Sequence, residues 1–134
     1  MALLTLSVMV AVRCRLVEVQ AARRRVRALA ERAGLGRAAV DDVELAVSEA
    51  CTNAIQHGCP ASAEHVEIAF RSDDRCVEIE VRDSGIFRKR IPMPELHEAR
   101  GRGIPLMIAL MDEVHITEGT RRKPGTVIRL VKCL

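Results

Sequence analysis

Aromatic residues are nearly absent from this chain of 134 residues, which contains two Phe and neither Trp nor Tyr. The hydrophobic core must therefore be built from aliphatic side chains. Proteins that bind single-stranded nucleic acid usually stack bases on aromatic rings, so that function is disfavoured. A net charge of +3 is too small to indicate DNA binding, although it suits a phosphate ligand or an acidic protein partner. We therefore expect no direct contact with nucleic acid.

A long hydrophobic run is also missing. The apolar stretch at residues 2–12 is shorter than the roughly 20 residues of a membrane span, and no basic segment precedes it. Leu6, Val8 and Val10 alternate with residues such as Ser7, which is the period of a β-strand. We therefore expect a soluble, cytoplasmic protein without membrane contact, folded as one domain over residues 1–134.

The chain has five cysteines, an odd number, and no pair has the spacing of a zinc site. We expect Cys14, Cys51, Cys59, Cys76 and Cys133 to be reduced thiols, as is usual in the cytoplasm. Cys51 and Cys76 lie in apolar patterns, which predicts that both are small core residues.

The hydrophobic patterns predict a strand, two helices, two strands, a loop, a helix and two strands, in that order. The helices are predicted over residues 17–33, 37–57 and 104–111, with Gly34 ending the first. After the N-terminal strand, further strands are predicted over residues 66–70, 77–81, 114–117 and 126–131. This order predicts an α+β fold, a two-layer sandwich in which helices cover one face of a mixed, mostly antiparallel sheet.

The second predicted helix is the most informative segment. Glu49 and Asn53 are four residues apart and His57 lies one turn further, so the three share one line along the helix. This line borders a narrow stripe of small and branched apolar residues. A carboxylate, an amide and an imidazole beside a packed face can form a site, but this segment alone is more typical of an ordinary, partly exposed helix edge.

Two segments near the ends of predicted strands contain residues that could hydrogen-bond to one base. Asp83 ends a strand and Gly85 follows it, and such an aspartate can accept a hydrogen bond from an exocyclic amine such as that of adenine. Thr126 enters the last strand after a turn glycine and could hydrogen-bond near the same base. Each signal in isolation also fits an ordinary turn.

A glycine-rich segment precedes the last predicted helix. Gly101 and Gly103 allow the backbone to approach a phosphate closely, and the free amides and dipole of the following helix attract anions. Arg100 and Arg102 add positive charge. The alternative is a glycine-rich loop that merely begins a helix.

The order of these four signals resembles the ATP-binding fold shared by gyrase, Hsp90, histidine kinases and MutL, the GHKL superfamily. Within it, residues 45–54 are similar to the signature helix of the bacterial anti-sigma-factor serine kinases of sporulation and general stress. Residues 101–104 and 110–114 resemble the second glycine box of that family. The likeness covers nearly the whole chain and implies a Bergerat-type fold.

The resemblance implies a role for each matching residue. Glu49 would be the general base or would orient the attacking hydroxyl, Asn53 would bind Mg²⁺ through its carbonyl oxygen, and Asp83 would recognise adenine. The other residues implied to contact ATP are His57, Gly85, Arg100, Gly101, Arg102, Gly103, Ile104 and Thr126.

The resemblance further implies an anti-sigma factor that transfers the γ-phosphoryl group of ATP to a serine of an anti-anti-sigma protein, a STAS-domain partner. Such proteins also sequester an RNA-polymerase sigma factor and usually form homodimers. The basic run Arg23, Arg24, Arg25 and Arg27 is either a docking surface for an acidic partner or a solvated helix face. The N-terminal strand could pair with its twofold mate, because an uncovered strand edge invites pairing.

Two departures from the family pattern leave an alternative open. The segment at residues 87–100 is a short lid, and Pro105 removes one amide from the first turn of the phosphate helix. The alternative is a non-catalytic, nucleotide-responsive module that only binds partners. A detached histidine-kinase catalytic domain is disfavoured, because no upstream helical hairpin carries a phosphoacceptor histidine.

Overall fold

The computed structural model describes residues 6–59, 65–83, 103–119, 122 and 125–134. Its strands are β1 (Leu6–Arg13), β2 (His65–Ser72), β3 (Cys76–Asp83), β4 (Glu113–Glu118) and β5 (Thr126–Cys133). Its helices are α1 (Val19–Arg32), α2 (Arg37–Gly58) and α3 (Gly103–Leu110), with a single 3-10 turn at Leu16–Glu18. No helix in this part of the chain is long and apolar enough to cross a bilayer.

The strands form one sheet in the order β1-β2-β3-β5-β4, and all four pairings between the described strands are antiparallel. Helix α2 contacts β2, β3 and β5, while α1 contacts both β1 and α2. The helices therefore form a second layer on one face of the sheet. This arrangement confirms the predicted α+β sandwich.

The core between the two layers is aliphatic, as the scarcity of aromatic residues predicts. Phe70, one of the two Phe, is fully buried among Ile, Val, Leu and Met side chains of the sheet and helices. The stripe on α2 consists of Val43, Val47, Ala50 and Ala54, each at most 2% exposed. These side chains are short, so α2 lies close to the sheet.

Gly34 ends α1 as predicted. Its φ angle of 98° is in the left-handed region, which favours glycine. The amide of Gly34 donates to the carbonyl of Glu31 at 3.0 Å, and the amide of Leu35 donates to that of Ala30 at 3.2 Å. These two bonds form a Schellman motif, which satisfies carbonyls that the helix end leaves without partners.

The expectation that all five cysteines are reduced is wrong for four of them, because the structure contains disulfides Cys14–Cys59 and Cys76–Cys133. Cys76 and Cys133 lie directly opposite each other in the pairing of β3 with β5. The partners are 45 and 57 residues apart in sequence, so local spacing does not reveal them. The prediction that Cys76 is a small core residue is likewise wrong.

Cys51 is the one cysteine left as a free thiol, and it is buried in the core as predicted. Burial raises the pKa of this thiol to about 12, because the charged thiolate would lose its hydration. Cys51 is therefore protonated and unreactive at neutral pH while the protein is folded.

Thiol counting checks this assignment. Denatured, unreduced protein is expected to react with iodoacetamide at Cys51 alone, whereas all five cysteines react after reduction. Replacing Cys76 and Cys133 by Ser should lower the free energy of unfolding by about 2–4 kcal/mol, because the closed loop no longer restricts the unfolded chain. Urea denaturation of the wild type and of this variant, both without reductant, measures this difference. Five reactive thiols before reduction would contradict the assignment.

Candidate active site

Helix α2 places Glu49 and Asn53 at the border of its buried stripe. The side chain of Asn53 is 4% exposed, and that of Glu49 is half-buried. The four-residue spacing puts both on one line of the helix, as predicted. His57 lies in the last turn of the same helix. A carboxylate and an amide are thus held beside the core by a rigid element.

The ends of two neighbouring strands bring Asp83 and Thr126 together. The two residues are paired across β3 and β5, and the backbone amide of Thr126 donates to Oδ1 of Asp83 at 3.2 Å. Thr126 is 2% exposed. By strand alternation both lie on the helix-covered face, in line with the buried residues Val81 and Ile128. A carboxylate accepts several hydrogen bonds, so Asp83 can accept the amide of Thr126 on β5 and also a hydrogen bond from an amine of a ligand.

Helix α3 begins at Gly103, the second glycine of the predicted phosphate segment. Ile104 is 7% exposed and anchors the first turn in the core, while Pro105 in that turn is exposed. A helix tolerates proline there because the first amides have no partner within the helix.

Four of the predicted nucleotide contacts lie outside the described residues, and they are Gly85, Arg100, Gly101 and Arg102. The described strands and helix that carry the other predicted site residues each contact α2. This helix packs against β3, β5 and α3, which carry Asp83, Thr126 and Gly103 respectively. The structure thus groups elements that are far apart along the chain.

The amide oxygen of Asn53 fits a magnesium ion that takes most of its other ligands from phosphate and water. Within the described residues, no group of three His, Cys, Asp or Glu side chains could hold a metal ion. Asn53 offers one amide oxygen, and Mg²⁺ typically takes one or two protein ligands, phosphate oxygens and several waters.

The basic run on α1 is partly neutralised by acidic residues of α2. Nη1 of Arg27 lies 2.7 Å from Oδ1 of Asp41 and 2.5 Å from Oε2 of Glu44. Nη2 of Arg23 lies 3.2 Å from Oε1 of Glu44. The hydrogen bond to Asp41, followed by that to Glu44, raises the pKa of Arg27 above its ordinary value. Arg24 and Arg25 are exposed.

One largely covered cation, Lys132, was not predicted from the sequence. Nζ of Lys132 lies 3.1 Å from Oδ2 of Asp42 and donates to the carbonyl of Leu110 at 2.6 Å. Strand alternation could have indicated it, because Lys132 shares the inward face of β5 with Ile128 and Leu130. A lysine in such a position needs a partner inside the protein.

Several known proteins are similar to this chain. An anti-sigma F factor of Clostridium acetobutylicum is 37% identical over 101 residues, which are 69% of this chain and 69% of that protein. An anti-sigma F factor of Heyndrickxia coagulans is 43% identical over 100 residues, or 66% of this chain and 65% of that protein. The serine-protein kinase RsbW of Bacillus cereus is 31% identical over 101 residues, or 66% of this chain and 62% of the kinase.

A solved structure supports the fold. The RsbU and RsbW domains of Rv1364c from Mycobacterium tuberculosis match with a TM-score of 0.74 and 21% identity, over 96% of this chain and 32% of that chain. The sequence model of the histidine kinase-like ATPase domain matches residues 12–132. Because this match covers most of the chain, including α2, α3 and the strands other than most of β1, the chain belongs to the histidine kinase-like ATPase domain family.

Proposed function

We propose that this chain is an anti-sigma factor and protein serine kinase that transfers the γ-phosphoryl group of ATP to a serine of a STAS-domain anti-anti-sigma partner. The observation that carries the proposal is the packing of α2, with Glu49 and Asn53, against the strands on which Asp83 accepts the amide of Thr126. The names of the similar anti-sigma F factors and RsbW kinases support the same activity.

This proposal gives a role to four described residues and to the first turn of α3. Asp83 and Thr126 hold the adenine, and the first turn of α3 faces the phosphates with its unpaired amides. Asn53 would hold Mg²⁺ through its amide oxygen, and the ion when bound neutralises charge on the phosphates. Glu49 takes the proton of the serine hydroxyl while the serine oxygen forms a bond to the γ-phosphorus. The bond between that phosphorus and the bridging oxygen breaks, and ADP leaves.

The proposed partners are an RNA-polymerase sigma factor, the STAS-domain substrate and a second copy of this chain. Arg24 and Arg25 are exposed on α1 and suit an acidic partner. Among the described strands β1 lies at the edge of the sheet, which suits pairing with the second copy, and it carries the exposed side chain of Met9. A sigma factor as partner would place the protein in the cytoplasm, where disulfides are rare and usually redox-active.

A non-catalytic partner-binding module is the second candidate function. Pro105 favours it, because α3 loses one first-turn amide that could have bound a phosphate. The presence of Glu49 beside Asn53 favours the kinase, since a protein that only binds partners has no use for a general base.

Replacing Glu49 by Gln separates the two functions. The variant should bind ATP within about twofold of wild type but transfer phosphate about 10²–10⁴-fold more slowly, because the hydroxyl loses its base. Radiolabel transfer from γ-labelled ATP to the STAS-domain partner measures the rate. Glu44→Gln is the matched control on the same helix, and its transfer rate should be unchanged because Glu44 pairs with Arg23 and Arg27. Wild type that binds ATP without any transfer would support the binding module.

Asp83→Asn tests the adenine contact. Loss of a charged acceptor should lower the affinity for ATP and for adenosine by the same factor, about 10–100-fold, because both ligands contain the base. Calorimetric titration of both ligands measures this loss. Asp74→Asn, an exposed position in the β2–β3 turn, is the control and should bind as wild type does. Unchanged ATP affinity in Asp83→Asn would remove Asp83 from the site.

Charge reversal on α1 tests the docking surface. Arg24→Glu combined with Arg25→Glu should slow association with the sigma factor about tenfold or more at low salt, because electrostatic attraction steers the encounter. Stopped-flow fluorescence measures the association rate. Arg75→Glu, an exposed change in the β2–β3 turn, is the control. An unchanged association rate would identify Arg24 and Arg25 as a solvated face.

A further inference from the structure

Lys132 occupies an unusual place for a lysine. It lies on the helix-covered face of β5, and its side chain is 16% exposed. Its ammonium bridges two helices, since it lies 3.1 Å from Oδ2 of Asp42 on α2 and donates to the carbonyl of Leu110, the last residue of α3, at 2.6 Å. Carbonyls at a helix end lack partners within the helix, and the helix dipole favours a cation there.

The end of α3 is attached to β5 by two more hydrogen bonds. The amide of Asp112 donates to the carbonyl of Val131 at 2.9 Å, and the amide of Cys133 donates to Oδ2 of Asp112 at 2.6 Å. The C-terminal end of α3 is therefore held firmly by the sheet. Lys132 adds a polar link from this end to α2 through Asp42.

The ends of the two helices that meet at Lys132 are remote from the ends that carry the candidate site. Asp42 lies in the second turn of α2, and the helix rises about 16 Å from there to Asn53. On α3, Leu110 is the last residue and Gly103 the first. Because α2 and α3 pack against each other, a link at one pair of ends sets how far one helix is shifted along the other.

We infer that Lys132 is a positioning residue for the triphosphate of ATP. With Asp42 and the carbonyl of Leu110 it sets the axial position of α3 on α2, so that the first-turn amides of α3 meet the phosphates whose metal ion Asn53 holds. This inference rests on the proposed function, in which α3 binds the phosphates. Asp83 and Thr126 are independent of the link, because they are paired directly within the sheet.

Lys132→Met tests the inference, because Met keeps the apolar stem and removes the ammonium. The variant should bind ATP about tenfold more weakly while its affinity for adenosine stays within about twofold, since only the phosphate contacts are displaced. Calorimetry with Mg-ATP and with adenosine measures both dissociation constants. Lys132→Arg, which keeps a cation with several donors, should restore most of the ATP affinity.

Arg129→Met is the matched control. Arg129 lies on the same strand but on the face of the sheet opposite the described helices, where it pairs with Glu78. Its removal should leave both dissociation constants unchanged. Asp42→Asn is a second test that keeps the bond from Lys132 to Leu110. It should also lower the affinity for ATP and leave that for adenosine unchanged. This variant tests the inference if Lys132→Met does not fold.

The outcomes separate this inference from the proposed function. Equal losses for ATP and adenosine in Lys132→Met would show a merely structural role, and no loss would show no role; either result overturns the inference and leaves the kinase proposal intact. Wild type that does not bind ATP would overturn both. A loss confined to ATP, with rescue by Arg, supports the assignment of Lys132 as a positioning residue.

Discussion

Helix α2 can rest directly on the sheet because the residues of its inner stripe are short. Val43, Val47, Ala50 and Ala54 are each at most 2% exposed, so the helix cannot rotate about its axis without bringing apolar surface into water. That fixed rotation decides where Glu49 points, since this residue borders the stripe. Asn53, on the same line, is buried, and the strands and α3 that carry the other site residues contact this one helix.

The charged residues that join the elements differ in depth, and this difference decides what they do. Arg23 and Arg27 join α1 to α2 through side chains that are 33% and 32% exposed, and pairs at such depth contribute little to stability. Arg24 and Arg25, on the same helix, are exposed to solvent. Lys132 is deeper, with a side chain that is 16% exposed, so water screens its charge less than the charges of Arg23 and Arg27.

Features that depend on neighbouring residues were predictable. The repeat of apolar residues on α2 predicts a helix and its buried stripe, because helical period is a local property. Gly34 ends α1 because a left-handed residue there closes two hydrogen bonds. The β2–β3 turn is stabilised by Asp73, whose Oδ1 accepts the amides of Arg75 and Cys76 at 2.8 Å. The predicted ends of the helices and strands differ from the observed ends by a few residues, because hydrophobic patterns do not mark where hydrogen bonding with neighbouring elements stops.

The sequence by itself determined the element order and the aliphatic core, since both follow from composition and local spacing. The choice of Glu49 and Asn53 as site residues came from the resemblance to a known family. Tertiary structure alone decided which distant residues meet. The disulfide partners are 45 and 57 residues apart, and Lys132 and Asp42 are 90 residues apart. Such contacts arise from strand register and helix packing, which are set by the burial of the whole apolar surface and not by any segment of the chain.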